Sequence, residues 1–129
     1  AGSYSNVACL SPRGAQRWFA LIKSDPARAL EWERRIQGFI QRHIIPFIAE
    51  QKYTNTAVDK LLAAIGGWAQ IGTRVRWPYR WILESEADRL RAVARTELPE
   101  LMDAVAPAPA PAQNSALTGS RGDGGGKLT

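Results

Sequence analysis

The chain is poor in the residues that most often bind metals or carry acid–base chemistry. It contains one cysteine, Cys9, one histidine, His43, and one methionine in 129 residues. A single cysteine excludes a disulfide within the chain, and no group of residues has the spacing of zinc ligands. We therefore expect no metal or other cofactor, and a reducing, cytoplasmic setting is the default expectation.

Long apolar runs are also missing. No stretch approaches the roughly 20 apolar residues that span a bilayer, and no basic segment precedes a short apolar one as in a signal peptide. We therefore predict that the chain has no membrane partner. It begins at Ala1 without an initiator methionine, and we expect it to be a fragment of a longer protein.

Apolar and basic residues, in contrast, are plentiful. Hydrophobic residues make up 45% of the chain and include five Trp, which excludes a wholly disordered protein and allows one domain with a core. The formal net charge is +5, from 17 Lys+Arg against 12 Asp+Glu. Such a charge suits nucleic acid or an anionic ligand, although arginine-rich, solvated helix faces explain it more simply.

Residues 54–67 predict a short amphipathic helix. The side-chain oxygens of Thr54, Asn55 and Thr56 can each cap a first turn. Thr56 and Asp59 also have the spacing of a capping box, and Gly66-Gly67 is typical of a helix C-terminus. Between them, apolar residues recur at i, i+3, i+4 and i+7, at Val58, Leu61, Leu62 and Ile65. Residues 68–81 are not helical in pattern, because the Trp77-Pro78 step favours extended backbone.

The N-terminal residues predict one strand that leads into a helix. The stretch from Tyr4 to Leu10 is short, apolar and rich in small residues, which favours a buried strand. Ser11-Pro12 then supplies a helix N-cap followed by proline. Apolar residues at helical spacing after it predict a helix that runs to about Lys23. We interpret residues 1–23 as one βα unit.

Further helices are predicted in residues 24–105. Asp25-Pro26 repeats the cap and proline, and Pro46 should kink or end the second helix near Ile45. Ser85 with Asp88 predicts the start of the last long helix. From residue 106 to residue 129 a Pro/Ala linker precedes a Gly-rich tail that we predict to be disordered. The predicted fold class is mainly α, with one N-terminal strand and four to five helices.

Two motifs in this chain resemble the dihydrodipicolinate synthase/N-acetylneuraminate lyase family. A K-x-x-x-x-x-x-G helix, then a loop that ends R-x-P-hydrophobic, then a final helix characterises the C-terminal region of that family. The matching positions here are Lys60, Gly67, Arg76, Pro78 and Tyr79. Tyr4, Ser5 and Pro12 match the eighth barrel strand of the family, whereas Cys9 stands where the family often has Asn. The resemblance covers about Ser3 to Met102.

This resemblance implies a Schiff-base aldolase or lyase that acts on pyruvate or another 2-keto acid. The family fold is a (β/α)₈ barrel with extra C-terminal helices, of which this chain would supply the last βα unit and the helical extension. The Schiff-base lysine, the proton-relay tyrosine and the G-T-T-G-E turn of the family are not present. We therefore expect no catalytic residue in this chain, no activity of the fragment alone, and a homo-oligomer for the full-length protein.

Ser5 and Cys9 are the candidate substrate-pocket residues, because barrel active sites gather at the C-terminal ends of the strands. A small buried thiol that only packs is the alternative for Cys9. Lys60 matches a helical lysine of the family and not its nucleophile, so we expect it on the surface. A lone histidine on an apolar helical stripe, as His43 is, more often packs or lies at an interface than catalyses.

A rival hypothesis is a basic helical module that binds nucleic acid or a protein partner. Its arginines and aromatic residues alternate, which is typical of surfaces that combine stacking with phosphate contacts. The residues concerned are Arg74, Arg76, Arg80, Trp77, Tyr79 and Trp81. Nucleic acid is disfavoured, because Glu84, Glu86 and Asp88 follow at once. Four of the Trp residues are also difficult to bury together, which indicates a missing partner surface.

Overall fold

Side-chain caps begin three of the helices within residues 6–102, the part of the chain that the computed structural model describes. Ser11, Asp25 and Thr54 each accept a backbone N–H of the first turn that follows. The helices, in chain order, are α1 (Asn6–Leu10), α2 (Pro12–Ser24), α3 (Pro26–Phe39), a π-helix (Ile40–Ile44), α4 (Ile45–Ala49), α5 (Asn55–Gly66), α6 (Glu84–Glu97) and α7 (Pro99–Met102).

The predicted N-terminal strand is wrong. Asn6–Leu10 is helix α1, and residues 6–102 contain no strand. The N–H of Ser11 donates to the carbonyl oxygen of Val7 at 2.9 Å, as in a helix, and the α1 side chains of Val7 and Leu10 are buried. A short apolar run does not by itself distinguish a strand from a buried helical turn. Since a strand needs a hydrogen-bonded neighbour and this region offers none, the inferred βα unit is also wrong.

Helix α2 is confirmed, and its cap also joins distant parts of the chain. The Ser11 hydroxyl accepts the N–H of Gly14 at 3.0 Å and donates to the carbonyl oxygen of Leu101 at 3.0 Å. The indole N–H of Trp18 donates to the carbonyl oxygen of Ala29 at 3.0 Å, which fixes α2 against α3. These bonds place α2 between α3 and the C-terminal helix α7.

Pro46 interrupts the second predicted helix without ending it. The residues before it widen into the π-helix, in which the N–H of Ile45 donates to the carbonyl oxygen of Ile40. This wider turn accommodates a proline that has no N–H and whose ring would clash with a carbonyl four residues earlier. Of the apolar residues along this helical segment, Ile36, Phe39, Ile44 and Phe47 are buried, whereas Leu30 is 52% exposed.

Helix α5 forms the centre of the core, because the four apolar positions predicted for it are all buried. It packs against α1 and α6. Thr54, one of the three candidate capping residues, is its N-cap, whereas the predicted capping box of Thr56 and Asp59 is wrong. Gly67 ends it in the left-handed conformation, with φ of 65°, as the Gly-Gly signal predicts. Helix α6 begins one residue before the predicted Ser85, after a Leu83 that makes no side-chain cap.

We predict that Gly66→Ala destabilises the fold by about 3 kcal/mol, the upper range for overpacking. A β-carbon at Gly66 would lie inside van der Waals distance of the backbone carbonyl of Leu10, so α1 would have to move away from α5. Urea unfolding followed by circular dichroism measures the loss.

Gly72→Ala is the matched control for this prediction. A β-carbon there meets only the carboxylate of Glu84, at 3.0 Å, and this flexible side chain can move aside. Equal stability of the two variants would contradict the close approach of α1 to α5.

Candidate functional site

Residues 68–83, here called the arginine–aromatic loop, connect α5 to α6, and both ends of the loop are fixed. At its start the indole N–H of Trp68 donates to the carbonyl oxygen of Cys9 at 2.7 Å. Arg91 of α6 donates to the carbonyl oxygens of Ile65 and Ala64 at 3.1 and 2.6 Å. These bonds pair carbonyl oxygens in the last turn of α5 that have no partner within the helix. The loop is therefore tied to α1 and α6.

Two buried residues hold the middle and the end of the loop. Ile82 is 1% exposed and belongs to the core, next to the start of α6. Thr73 is fully buried, and its hydroxyl has no hydrogen-bond partner in the part of the chain that is described. With both ends and these two positions anchored, only the stretch between them extends into solvent.

The exposed stretch of the loop presents four large apolar side chains, which we call the apical patch. A turn closed by the N–H of Tyr79 and the carbonyl oxygen of Arg76, at 3.1 Å, carries the cis Trp77-Pro78 peptide bond. The patch consists of Trp77, 91% exposed, Tyr79, 53%, Trp81, 46%, and Leu83, 64%. An indole exposed to this extent is unusual, because Trp is highly buried on average.

Three arginines surround the apical patch, and two of them contact rings of the same chain. The guanidinium of Arg74 lies 5.7 Å from the centre of the Trp81 ring. That of Arg80 lies 4.5 Å from the centre of the Tyr53 ring and donates to the carbonyl oxygen of Gln51. These cation–π contacts orient the arginines. Arg76 is exposed and forms no ion pair with the residues described.

A cavity of about 640 Å³ adjoins the start of the loop. Backbone of Gly66, Gly67 and Gly72 forms part of its wall, together with the side chains of Arg91 and Arg95. Arg91 is already engaged by the end of α5 and by Asp88, at 2.9 Å. The other polar side chains of the lining, Gln70, Glu84 and Arg95, form no ion pair with the described residues, so the cavity keeps groups of both charges that could orient a ligand.

Of the two predicted pocket residues, Ser5 lies outside the described residues and Cys9 is partly buried in α1. Burial raises the pKa of the Cys9 thiol, and the negative charge of Asp59 raises it further. The thiol therefore stays protonated at neutral pH, which disfavours a nucleophilic role. The contact that Cys9 makes with Trp68 uses its carbonyl oxygen. The pocket role stays a prediction.

The structure also joins three charged or titratable side chains that the sequence could not bring together. Glu97 of α6 accepts one hydrogen bond from Arg42 at 2.7 Å, and its carboxylate lies 3.1 Å from the Nε2 atom of His43. Since 54 residues separate His43 from Glu97, no helical spacing could predict their contact. The imidazole also packs on the Phe39 ring, with centroids 5.2 Å apart. His43 thus packs between the π-helix and α6, as expected for a lone histidine on an apolar stripe.

Other sequence features lie apart from the loop. Lys60 is exposed on α5, on the surface as predicted. Within residues 6–102 no three His, Cys, Asp or Glu side chains come close enough together to hold a metal ion. In the same range, no helix has both the length and the apolar character that crossing a membrane requires.

We predict that Glu97→Gln flattens the loss of stability at acid pH. Burial acts to raise the pKa of Glu97, but the hydrogen bonds and charges of His43 and Arg42 outweigh it and lower the pKa below 4.5. As the pH falls, the Glu97 carboxylate is therefore protonated at a higher pH in the unfolded chain than in the folded protein. The stability from Glu97 is present above pH 4.5 and is lost as the pH falls through the folded pKa.

Urea midpoints measured from neutral pH to about pH 3 test this prediction. Glu33→Gln, at an exposed position on α3, is the control and should follow the unmodified chain. A Glu97→Gln profile as steep as that of the unmodified chain would show that the contact with Arg42 and His43 does not form.

We predict that Asp59→Asn speeds alkylation of Cys9 by iodoacetamide. Removal of the negative charge lowers the thiol pKa, so the thiolate fraction at a given pH rises. The rate at pH about 8, read by mass spectrometry, should increase modestly, because burial is the larger cause of the raised pKa. Asp88→Asn is the control. Equal rates in both variants would show that Asp59 does not act on the thiol.

Comparison with known proteins found no protein-family model, curated protein or solved structure that matches the chain. What can be concluded about its function therefore depends on the motifs in its sequence and on the geometry of the arginine–aromatic loop.

Proposed function

We propose that this chain is the C-terminal helical part of a Schiff-base aldolase or lyase that acts on pyruvate or another 2-keto acid. The observation that supports it is the unit formed by α5, Gly67, the arginine–aromatic loop and α6. A lysine-bearing helix, a left-handed glycine, an R-x-P loop and a long helix follow one another in the order that the family resemblance implies.

In this proposal the helices do not supply the nucleophile. A Schiff-base lysine needs a depressed pKa, which burial in an apolar pocket or a neighbouring cation provides. Lys23, Lys52 and Lys60 are the lysines of the described residues, and all three are exposed. The family resemblance implies that the amine that condenses with the keto group lies on an earlier strand of the barrel, upstream of Ala1, and the iminium formed there would be the electron sink.

The environment of the helices fits this role as a supporting part of a larger enzyme. The apolar side chains of Phe19, Ile22 and Leu30, on α2 and α3, are about half exposed. Together with Trp18 and Pro26 some of them line a largely apolar groove. A surface of this kind supports packing against further polypeptide. The single thiol is consistent with a reducing cytoplasm, which we include in the proposal.

A second candidate function, a basic binding module for nucleic acid or a protein partner, is favoured by one observation. The apical patch places exposed aromatic rings beside arginines, as surfaces that stack on bases do. Affinity for nucleic acid would fall steeply with salt concentration. Glu84 and Glu86 lie in the first turn of α6, directly after the loop, and their charges oppose phosphate.

We predict that pyruvate with borohydride labels the full-length protein and not this chain. The coding sequence upstream of Ala1 is first read, and the in-frame protein is produced beside the isolated 129-residue chain. Both are treated with pyruvate and borohydride, which reduces an iminium to a stable amine, and the lysines are mapped by mass spectrometry. The adduct is expected on one lysine outside residues 1–129, because the lysines described here are solvated.

Labelling of Lys60 or another specific lysine in the isolated chain would contradict the proposal. So would a start codon directly before Ala1, since the catalytic residues would then have no source. A Lys60→Arg variant of the full-length protein is the matched control and should be labelled as efficiently as the unmodified protein.

A further inference from the structure

The cavity beside the start of the arginine–aromatic loop has the size of a small-molecule site. Its volume of about 640 Å³ lies within the range of roughly 300–1,000 Å³ that ligand pockets occupy. Its lining comes mainly from one face of α6 and from the glycine-rich backbone of residues 66–72. Because glycine has no side chain beyond hydrogen, a ligand can approach the peptide groups of that backbone closely.

The charged groups of the lining are distributed along α6. Glu84 lies in the first turn of this helix and Arg95 in its last turn, and both line the cavity. At 3.6 residues per turn their spacing leaves them on the same side of the helix, roughly 16 Å apart at the backbone. Neither forms an ion pair with the described residues. The cavity therefore has an unpaired negative charge near one end of α6 and an unpaired positive charge near the other.

Arg91 adds a second guanidinium beside that of Arg95. It donates to two carbonyl oxygens of α5 and to the carboxylate of Asp88, so two of its five N–H groups remain for a ligand. Since these bonds already hold the group in place, an anion that binds it pays little side-chain entropy. Arg91 and Arg95 are four residues apart, the spacing at which helical side chains are neighbours. A carboxylate can therefore bind between them.

We propose that this cavity binds a short zwitterionic peptide, with the peptide carboxylate at Arg91 and Arg95 and the peptide ammonium group at Glu84. An extended chain covers about 3.3–3.6 Å per residue, so about three residues connect the two ends once the side chains of the cavity are allowed for. The inference is independent of the lyase function, because it uses only groups of the described chain.

Backbone groups of the loop favour a peptide over other zwitterions. The N–H groups of Gln70 and Gly72, two residues of the lining, donate to no acceptor within the described range. They can donate to carbonyl oxygens of a bound peptide, as unpaired main-chain groups do in other modes of peptide recognition. Small apolar side chains of the peptide would contact the apolar part of the lining, which includes Ala69, Ile71 and Met102.

A simple anion fits the same cavity less well. Asp88 lies 2.9 Å from Arg91 and offsets its charge, so the charges that remain are those of Arg95 and Glu84. These two sum to zero, and the carboxylate of Glu84 would repel a second anionic group. A ligand that carries one charge of each sign matches both ends of the lining.

An NMR titration of the isotope-labelled 129-residue chain with trialanine tests the proposal. The backbone amide signals of Gln70 and Gly72 should shift, with a dissociation constant in the millimolar range expected for so small a ligand. Acetyl-trialanine lacks the ammonium group and trialanine amide lacks the carboxylate. Each should bind about fivefold more weakly, the upper range for an exposed ion pair.

Two substitutions identify the group that binds each end of the peptide. Glu84→Gln should bind trialanine and acetyl-trialanine equally, and Arg95→Gln should bind trialanine and its amide equally, because each variant lacks the charge that distinguishes the two ligands. Glu31→Gln and Arg34→Gln, at exposed positions on α3, are the matched controls and should keep both preferences. Circular dichroism checks that each variant retains its helices.

Three results would overturn the proposal. The first is an absence of amide shifts at tens of millimolar trialanine, and the second is equal affinity of the unmodified chain for the free and the capped peptides. The third is a Glu84→Gln or Arg95→Gln variant that keeps the preferences of the unmodified chain. Binding of inorganic phosphate as tight as that of trialanine would also overturn it, because the cavity would then be a site for anions alone.

Discussion

Burial of α5 is the constraint on which the rest of the structure depends. At 12 residues this helix is too short to be stable in water by itself, so tertiary contacts must supply its stability. Helix α1 packs against it at Gly66, which has no room for a β-carbon, and α6 packs against it as well. Arg91 closes its C-terminus. The contacts that fix the position of α5 therefore also fix the start of the loop that follows it.

The parts of the fold that the sequence could predict are those that local chemistry decides. Ser11-Pro12 and Asp25-Pro26 begin helices because their oxygens cap the first turn within three residues, and Gly67 ends one because it takes φ of 65°. Residues 6–10 could not be predicted in this way. Their apolar pattern suits either a strand or a helix, and packing of Val7 and Leu10 in the core decides for a helix.

The sequence indicated that some Trp residues would be exposed but could not identify which ones. Trp18 and Trp68 are half-buried because each indole N–H reaches a backbone carbonyl oxygen of another helix. Trp32 is buried in the core. These contacts join residues 11 and 59 positions apart, so no spacing rule could identify them. The contact of Glu97 with His43 was missed for the same reason.

Of the exposed rings, Trp77 gains least from burial, since its indole is almost wholly in water. A flexible loop could fold such a ring back onto the core, but this loop is tied at both ends and by the burial of Thr73 and Ile82. The anchors thus prevent the loop from covering its own rings. Stability of α5 and exposure of the apical patch are therefore consequences of the same contacts.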